Sequence, residues 1–502
     1  MSVNLGKIIS ACAPRAYYVG GSLRDGLLKR FSGDIDLALP RADVKEASLK
    51  LAKILKADAF EMDENFCVWR VRRKDGLQID LCALTGENIK EDLKRRDFTI
   101  NAFALETGRN PKIEIKKING APAFKIKVFE KDIIDVCGGL GGLKTRVVKM
   151  TSKKVFEEDP LRLLRAFRTA SELNFTVDKA TLAEIKKQSA QITKPAGERV
   201  QEEFKRIFVC ASSAQTFKVM EEQKLLSALM PQIEEQKTCA VCYYGELGVW
   251  AHTLLVLERM EYLLDNLQKV FPKYYKKLLP LAQDKALYKM AALLHDIAKP
   301  ATAKIMRGRL RFFYHEERGA QMAKEILARF KYSSAEQKLI CRMIEFHLRP
   351  SNLASNEIIT DKGVYKFFKE LGEAALPMLL LCWADYASYV TPRQLKSLLK
   401  KSAKPIITIE EGKKDGNLGK TLRHMQLINF LLQKYFKQSS TVIKPERLIN
   451  GNDVMRALKI EPSPQVGKLL EEVTLAQVEG KIKTKAAALR YILARKTGPS
   501  KK

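Results

Sequence analysis

The stretch from Tyr17 to Asp36 leaves this chain few ways to fold. Tyr17-Tyr18-Val19 reads as a strand running into Gly20-Gly21 and Ser22-Leu23-Arg24-Asp25, and a short gap later comes Asp34-Ile35-Asp36. Glycines let backbone N–H groups approach a polyphosphate closely, and Ser22 and Arg24 add side-chain donors. In a strand from Asp34 to Leu39, residues two apart leave the same face, so Asp34 and Asp36 can share one or two magnesium ions. Either half alone is an ordinary turn or a solvated acid pair. The two in this order and spacing point to chemistry on phosphates.

Charge narrows the partners. Across 502 residues Lys and Arg number 89 against 58 Asp and Glu, a net charge of +31, which fits a polyanion reached through counterion release and makes nucleic acid the leading partner. No run approaches the roughly 20 apolar residues of a spanning helix, and Met1 to Cys12 is a poor secretory signal, so the expectation is a cytoplasmic protein with no membrane partner. Nine cysteines, an odd number scattered along the chain, suit reduced thiols. Cys239-x-x-Cys242 has no second pair and reads as chance or packing rather than zinc.

The length suits about three or more domains. Residues 1–150 mix strand-like runs (Cys67 to Arg72, Leu77 to Leu81, Ile113 to Lys117, Phe124 to Phe129) with short helical patterns, the signature of an α/β or α+β head. From Phe156 onward the pattern is helical, with Leu161, Leu164, Phe167 and Leu173 at helical spacing. Boundaries are expected near 150, 215 and 400, dividing the helical part into 151–215, 216–400 and 401–502. The basic stretch Lys400 to Lys420 reads as an exposed connector.

Further acids and arginines join the opening motif. Asp80, inside the apolar run Leu77-Gln78-Ile79-Asp80-Leu81, is the candidate third acid; the alternative is a strand-end aspartate bonded to a turn. In Arg95-Arg96-Asp97-Phe98-Thr99-Ile100-Asn101-Ala102, two guanidiniums can clamp phosphate oxygens and the adjacent acid can accept from ribose hydroxyls. In Glu157-Glu158-Asp159-Pro160-Leu161-Arg162-Leu163-Leu164-Arg165, Glu158 or Asp159 could accept from a base edge to which Arg162 donates. The same residues also read as a helix start, with Asp159 as N-cap, Pro160 at the first position and an Asp159–Arg162 ion pair.

A second constellation uses four of the chain's five histidines, in the order His252, His295-Asp296, His315 and His347, closed by Asp385. His295-Asp296 ends the helical run Met290 to Leu294, so both side chains can reach a metal held between helices, with His252 and Asp385 supplied by others. Such a cage would generate a hydroxide able to cut phosphate esters. His315 and His347 are candidates for a second ion or for phosphate contact, and His424 is read as structural.

Taken together these stretches resemble the class II CCA-adding tRNA nucleotidyltransferase and bacterial poly(A) polymerase family, in the form fused to an HD phosphohydrolase domain. The likeness also takes in Asp135-Val136-Cys137-Gly138-Gly139, Glu198-Arg199-Val200, Leu448-Ile449-Asn450-Gly451-Asn452-Asp453 and Ala476-Gln477-Val478-Glu479-Gly480. It implies a multidomain α+β fold: a five-stranded, polymerase-β-like nucleotidyltransferase head on a helical neck, an HD body and an RNA-binding tail. It implies Mg2+ on Asp34 and Asp36, and a nucleotide held by the Gly20, Gly21, Ser22, Arg24, Arg95, Arg96, Asp97 and Asn101 region. The base edge would be read by Glu158, Asp159 and Arg162, with Arg165 beside them. The reaction implied is attack by a tRNA or other RNA 3′-hydroxyl on the α-phosphate of CTP or ATP. The HD site would take Mg2+ or a divalent transition metal.

The sequence departs from the family pattern at Gly142-Leu143, where Asp-Leu is common, and at Pro462-Ser463-Pro464. The segment from Thr107 to Asp132 is long and lysine-rich, either an added RNA-contacting hairpin or a charged surface loop. Three functions remain open: full or partial (CC or A) addition to tRNA, poly(A) synthesis, or an RNA-binding phosphohydrolase whose head has lost transfer activity.

Overall fold

A computed structural model describes residues 4–64, 67–118 and 120–496. Of the opening stretch weighed as a secretory signal, residues 1–3 lie outside this range, and Leu5–Cys12 is a helix whose N-cap Asn4 accepts from Lys7 N. The chain forms two compact units, Met1–Glu203 with Val219–Leu229 and Phe204–Lys218 with Met230–Lys502.

The first unit is built on a mixed sheet. Its strands are β1 (Tyr17–Val19), β2 (Ile35–Leu39), β3 (Asp58–Asp63), β4 (Val68–Arg72), β5 (Gln78–Ala83) and β6 (Phe103–Glu106). A lysine-rich hairpin of β7 (Ile113–Ile118) and β8 (Ala121–Ile126) precedes β9 (Ile134–Asp135). The order is β3-β4-β5-β2-β1-β6-β9, with β2 and β5 parallel and the other pairs antiparallel. Seven strands therefore stand where five are expected, the outer places being taken by β3 against β4 and by two-residue β9 against β6. Leu37, Leu39, Ile79, Leu81 and Leu105 alternate into a core closed by Val44, Leu51 and Leu55 of the helix Arg41–Leu55. Their period of two sends every second residue of β2 and β5, including Asp36 and Asp80, to the opposite face.

The segment Thr107 to Asp132, whose Asn119 lies outside the described residues, is a hairpin rather than a loose loop. Phe124 and Ile126 join the head core, and Ser32 bridges to Phe124. Lys125 and Lys127 pair with Glu114 at 2.7 and 3.0 Å, while Lys116 and Lys117 are exposed. The strand expected at Phe124 to Phe129 lies earlier, because Ala121 to Ile126 is the length that pairs with β7.

The second unit is helical apart from one short hairpin, Ala303–Met306 with Arg309–Phe312. The basic stretch Lys400 to Lys420 is not an open connector. Thr408 and Glu411 form a capping box for the helix Ile409–Lys414, and Gly416 opens the 22-residue helix Gly416–Lys437. The lysines occupy the solvent side while Gly412 and Gly419 are buried, which is how a basic sequence can still be regular structure. His424 stacks on Tyr386 at 3.6 Å, in keeping with a structural role. A separate apolar cluster, including Ile449, Val454, Val473 and Ile492, consolidates the last helices. Among the described residues no helix is long and apolar enough to cross a membrane, and all nine cysteines are free.

Candidate functional site

In the head, Asp34 directly precedes β2, and the parallel register sets Asp36 beside Asp80. One carboxylate oxygen from each of Asp34, Asp36 and Asp80 lies within 4.8 Å of the others. Burial, and then the charges of Asp34 and Asp80, push the Asp36 carboxyl up to about 7. Three acids gathered in this way repel one another unless a cation sits among them, and an all-oxygen donor set suits a hard ion such as Mg2+. Asp80 lies within β5 and not at a turn, so the strand-end alternative does not hold. Its two oxygens accept from Arg70 Nε and Nη2 at 2.8 Å each, which fixes the carboxylate's orientation.

Gly20 closes this cluster from above. Its φ of +72° is left-handed, and a Cβ there would stand 3.0 Å from Asp36 Oδ2 and 3.4 Å from Arg96 Nη1. Gly20 and Gly21 open the helix Gly20–Leu27, so the backbone donors of its first turn start next to the acids. Ser22 Oγ donates to Val19 O at 3.2 Å. Arg24 grips Asp25 and donates to Asn101 Oδ1 at 2.7 Å, bracing the helix against the Thr99–Asn101 turn. Arg96 pairs with Asp92 at 2.9 Å, and exposed Arg95 reaches Glu158 at 3.3 Å.

Asp97 is buried, accepting from Phe98 N at 2.8 Å and Asn101 Nδ2 at 3.0 Å, with Arg165 at 3.2 Å. Burial alone would raise its carboxyl; Arg165, the Asn101 amide, Arg162 and Phe98 N–H outweigh burial and hold it below the usual carboxylate value. The expected Asp159–Arg162 pair is absent. Asp159 Oδ1 caps Leu161 N at 3.2 Å and its Oδ2 binds Arg199 at 2.9 Å, while Arg162 lies 3.5 Å from Glu158, four residues back on the helical face. Arg162 also donates to the carbonyls of Arg95 and Val155 at 3.3 and 3.2 Å. Arg162 Nε and Arg165 Nε are buried and lack hydrogen-bond partners, donors left over for a ligand.

The second unit gathers the histidine series completely. His252 projects from the helix Gly248–Asp265 and Asp385 from Ala375–Ser388. His295 caps Lys285–Leu294, His315 opens His315–Arg329, and His347 follows Ser334–Glu345. All six side chains are buried. Nδ1 of His295, His315 and His347 sits 2.8, 2.7 and 2.6 Å from the carbonyls of Ala292, Phe312 and Ile344. Donation to those carbonyls places the proton on Nδ1 and leaves the Nε2 lone pairs facing inward.

The two Asp296 oxygens divide the set. Oδ2 lies 3.4 Å from His252 Nε2 and 3.1 Å from His295 Nε2, and Oδ1 lies 3.5 and 3.9 Å from Nε2 of His315 and His347. Two ligand triads result, His252–His295–Asp385 and Asp296–His315–His347, each with donor atoms within 4.8 Å. Nε2 of His252, His295 and His315, Asp296 Oδ1 and Asp385 Oδ1 are buried without hydrogen-bond partners. So many orphaned ligand atoms converging on one point fit one or two divalent ions. Burial lowers the His347 imidazole to about 4, keeping it in the neutral, metal-binding form. Asp385 is held at about 2, burial being outweighed by His252.

Three participants carry no role in the sequence reading. Lys299 Nζ lies 2.5 Å from Asp296 Oδ2 and donates to Tyr244 OH at 2.9 Å. Its signal was helical, a lysine three residues after Asp296. Arg70 on Asp80 and Arg199 on Asp159 are contacts across the fold that no spacing reports. Cys239 and Cys242 belong to no ligand group among the described residues.

Comparison with known proteins agrees with this geometry. The Poly A polymerase head domain matches residues 16–149, the probable RNA and SrmB-binding site of polymerase A 174–237, the HD domain 249–389, and the tRNA nucleotidyltransferase domain 2 418–493. An A-adding tRNA nucleotidyltransferase of Deinococcus radiodurans is 27% identical over 95% of both chains. A CC-adding tRNA nucleotidyltransferase of Synechocystis is 27% identical over 95% of this chain and 93% of its own. Among solved structures, a CCA-adding enzyme with ATP shares the fold with a TM-score of 0.63 at 19% identity, covering 98% of this chain and 95% of that one. The Thermotoga maritima CCA-adding enzyme with tRNA does so at 0.60 and 18%, covering 98% and 95%. With acid cluster and histidine cage in place, the chain carries the Poly A polymerase head domain and the HD domain and is similar, nearly end to end, to tRNA nucleotidyltransferases that add A or CC.

Proposed function

We propose that this protein adds C and/or A nucleotides from CTP and ATP to the 3′ end of tRNA without a template, and that its HD site hydrolyses phosphate esters. The observation that carries the first part is the Asp34–Asp36–Asp80 cluster beneath Gly20. In the transfer step the RNA 3′-hydroxyl oxygen bonds to the α-phosphorus, the bond to pyrophosphate breaks, and the hydroxyl proton leaves. Mg2+ held by Asp34 and Asp36, with Asp80 as third acid, would lower the hydroxyl's proton affinity and neutralise the leaving pyrophosphate. The glycine turn admits the triphosphate close to these acids, and Arg95 and Arg96 supply positive charge beside it. Asp97, fixed by Asn101 and Arg165, orients the ribose side of the pocket. Glu158, Asp159, Arg162 and Arg165 present acceptors and free donors from which a base edge is chosen.

At the HD site, His252, His295, Asp296 and Asp385, with His315 and His347, would hold Mg2+ or a transition metal that supplies a hydroxide at neutral pH. Lys299, 2.5 Å from Asp296 Oδ2, holds that carboxylate aimed at the cage.

A tRNA lacking its terminus, offered labelled CTP and ATP separately and together, tests the reading. Short products with a defined end support tRNA addition, and their composition separates CCA from CC-only or A-only synthesis, the activities named for the relatives. Long ATP-only products would instead favour poly(A) synthesis. Absence of any incorporation would overturn the transferase reading.

A further inference from the structure

The hairpin Ala303–Met306/Arg309–Phe312 lies in the chain between Lys299 and His315, two residues of the histidine cage. Its register pairs Lys304 with Arg311 and Met306 with Arg309. Cross-strand partners and residues two apart share a face, so Lys304, Arg309 and Arg311 stand together on one side. Arg307 occupies the turn with φ +50° and Gly308 with φ +70°, a two-residue turn whose first place favours Asn, Asp or Gly. All four cations are exposed, and none makes an ion pair with another described residue.

This is a costly arrangement for stability alone. Like charges directly opposite each other destabilise an antiparallel pair, a lone two-stranded hairpin is marginal in water, and arginine is unfavourable in the left-handed region. Ile305 is 79% exposed and Tyr314 70%, so little apolar burial offsets these terms. The base of the hairpin, by contrast, is tied to the cage. Phe312 O accepts from His315 Nδ1 at 2.7 Å, and Lys299 Nζ lies 5.6 Å from the Phe312 ring centroid. Phe313 and Tyr314 form a turn before the helix that His315 opens, so the four chain steps from Arg311 to His315 reach at most on the order of 13 Å, within roughly two nucleotides of single strand.

We propose that this hairpin grips the phosphate backbone of a single-stranded RNA and delivers its 3′-terminal phosphate ester to the histidine cage, so that the HD site acts on RNA ends in preference to free mononucleotides. The inference rests on the phosphohydrolase reading of the cage. Hydrolysis there forms a bond from water oxygen to phosphorus and breaks the ester P–O bond, the departing oxygen taking up the proton. The hairpin cations touch only phosphates upstream of the reacting one.

The test compares the full-length protein with a Lys304→Ser, Arg309→Ser, Arg311→Ser variant on a ten-nucleotide RNA ending in a 2′,3′-cyclic phosphate and on 2′,3′-cyclic AMP. Thermal midpoint and bound metal are measured as controls. Three lost phosphate contacts should lower kcat/KM for the oligonucleotide on the order of tenfold and flatten its log–log salt slope by about 2, with 2′,3′-cyclic AMP changing less than about twofold. A variant with Lys304 retained and both arginines changed to lysine should recover most of the loss, because charge and not fork geometry is used. Equal losses on both substrates, or none on either, would overturn the proposal. A second readout does not depend on turnover: the same RNA carrying 4-thiouridine near its 3′ end should crosslink to peptides spanning 303–312, and crosslinks found only elsewhere would also overturn it. Should the wild-type protein hydrolyse neither substrate, the phosphohydrolase reading falls, while the crosslink still decides whether the hairpin binds RNA.

Discussion

At the scale of single residues, the head depends on acids that cannot be comfortable without a cation. Asp36 is pushed up to about 7 by burial and by Asp34 and Asp80, a conflict held in place by the parallel pairing of β2 with β5. Replacing Asp34 and Asp36 by alanine removes the donor set and should reduce incorporation of labelled nucleotide by on the order of a thousandfold or more. Phosphate release at the HD site should persist, since its ligands come from other helices; loss of both activities would show that the two sites are not independent. Arg162 anchors on the Arg95 and Val155 carbonyls and leaves Nε free. Arg162→Ala should therefore change the CTP-to-ATP preference, measured as a ratio of kcat/KM values, by on the order of tenfold, more than it lowers turnover with the better substrate. Asp97 gives a pH prediction. Its native carboxyl lies below the ordinary value of 3.8, so the stability it contributes is complete above pH 3.8 and is lost as pH falls through the lowered native value. Urea unfolding of Asp97→Asn should show a shallower decline than wild type below about pH 4.

At the scale of elements, one aspartate organises the exit from the head. Asp135 accepts from the N–H groups of Cys137, Gly139 and Leu140 at 3.2, 2.9 and 2.9 Å and so caps the helix Gly139–Thr145. That helix lies so close to the Thr99–Asn101 turn that a Cβ on Gly139 would stand 2.1 Å from Thr99 O. Asp135→Ala should cost about 1–2 kcal/mol in urea unfolding, at the upper end of capping effects because three donors lose their acceptor. Gly142, where relatives commonly carry aspartate, is equally confined, its Cβ position lying 2.9 Å from Ile100 Cγ2. The departure at Gly142-Leu143 is thus accommodated by close packing against Ile100.

For the whole molecule, charge is the governing quantity. A net charge of +31 spread over a chain of this length predicts tRNA binding that weakens steeply with salt, on the order of a hundredfold or more between about 50 and 200 mM, as read from filter binding across a salt series. A flat response would remove the polyanion reading of the charge excess.

Local features written in neighbouring residues were legible in the sequence by itself: the glycine turn followed by paired acids, the helical character beyond Phe156, the histidine series and the family to which they point. Each depends on spacing within a few residues, where backbone geometry leaves little freedom. What tertiary structure decided are the relations between distant segments. Asp80 could be a ligand or a turn anchor until β5 paired with β2 and Arg70 gripped it. Asp159 was expected to meet Arg162 but met Arg199, forty residues on. Asp296, grouped with His315 and His347, came to face His252 and His295 of the other triad as well only when four other segments brought their ligand atoms around it. Most of the basic stretch 400–420 lies in helices, Pro392–Ser402, Ile409–Lys414 and Gly416–Lys437, with Gly412 and Gly419 buried and the lysines exposed. Charge and period are properties of a local string; which buried donor faces which acceptor is settled only when the chain closes and every such group has to find a partner.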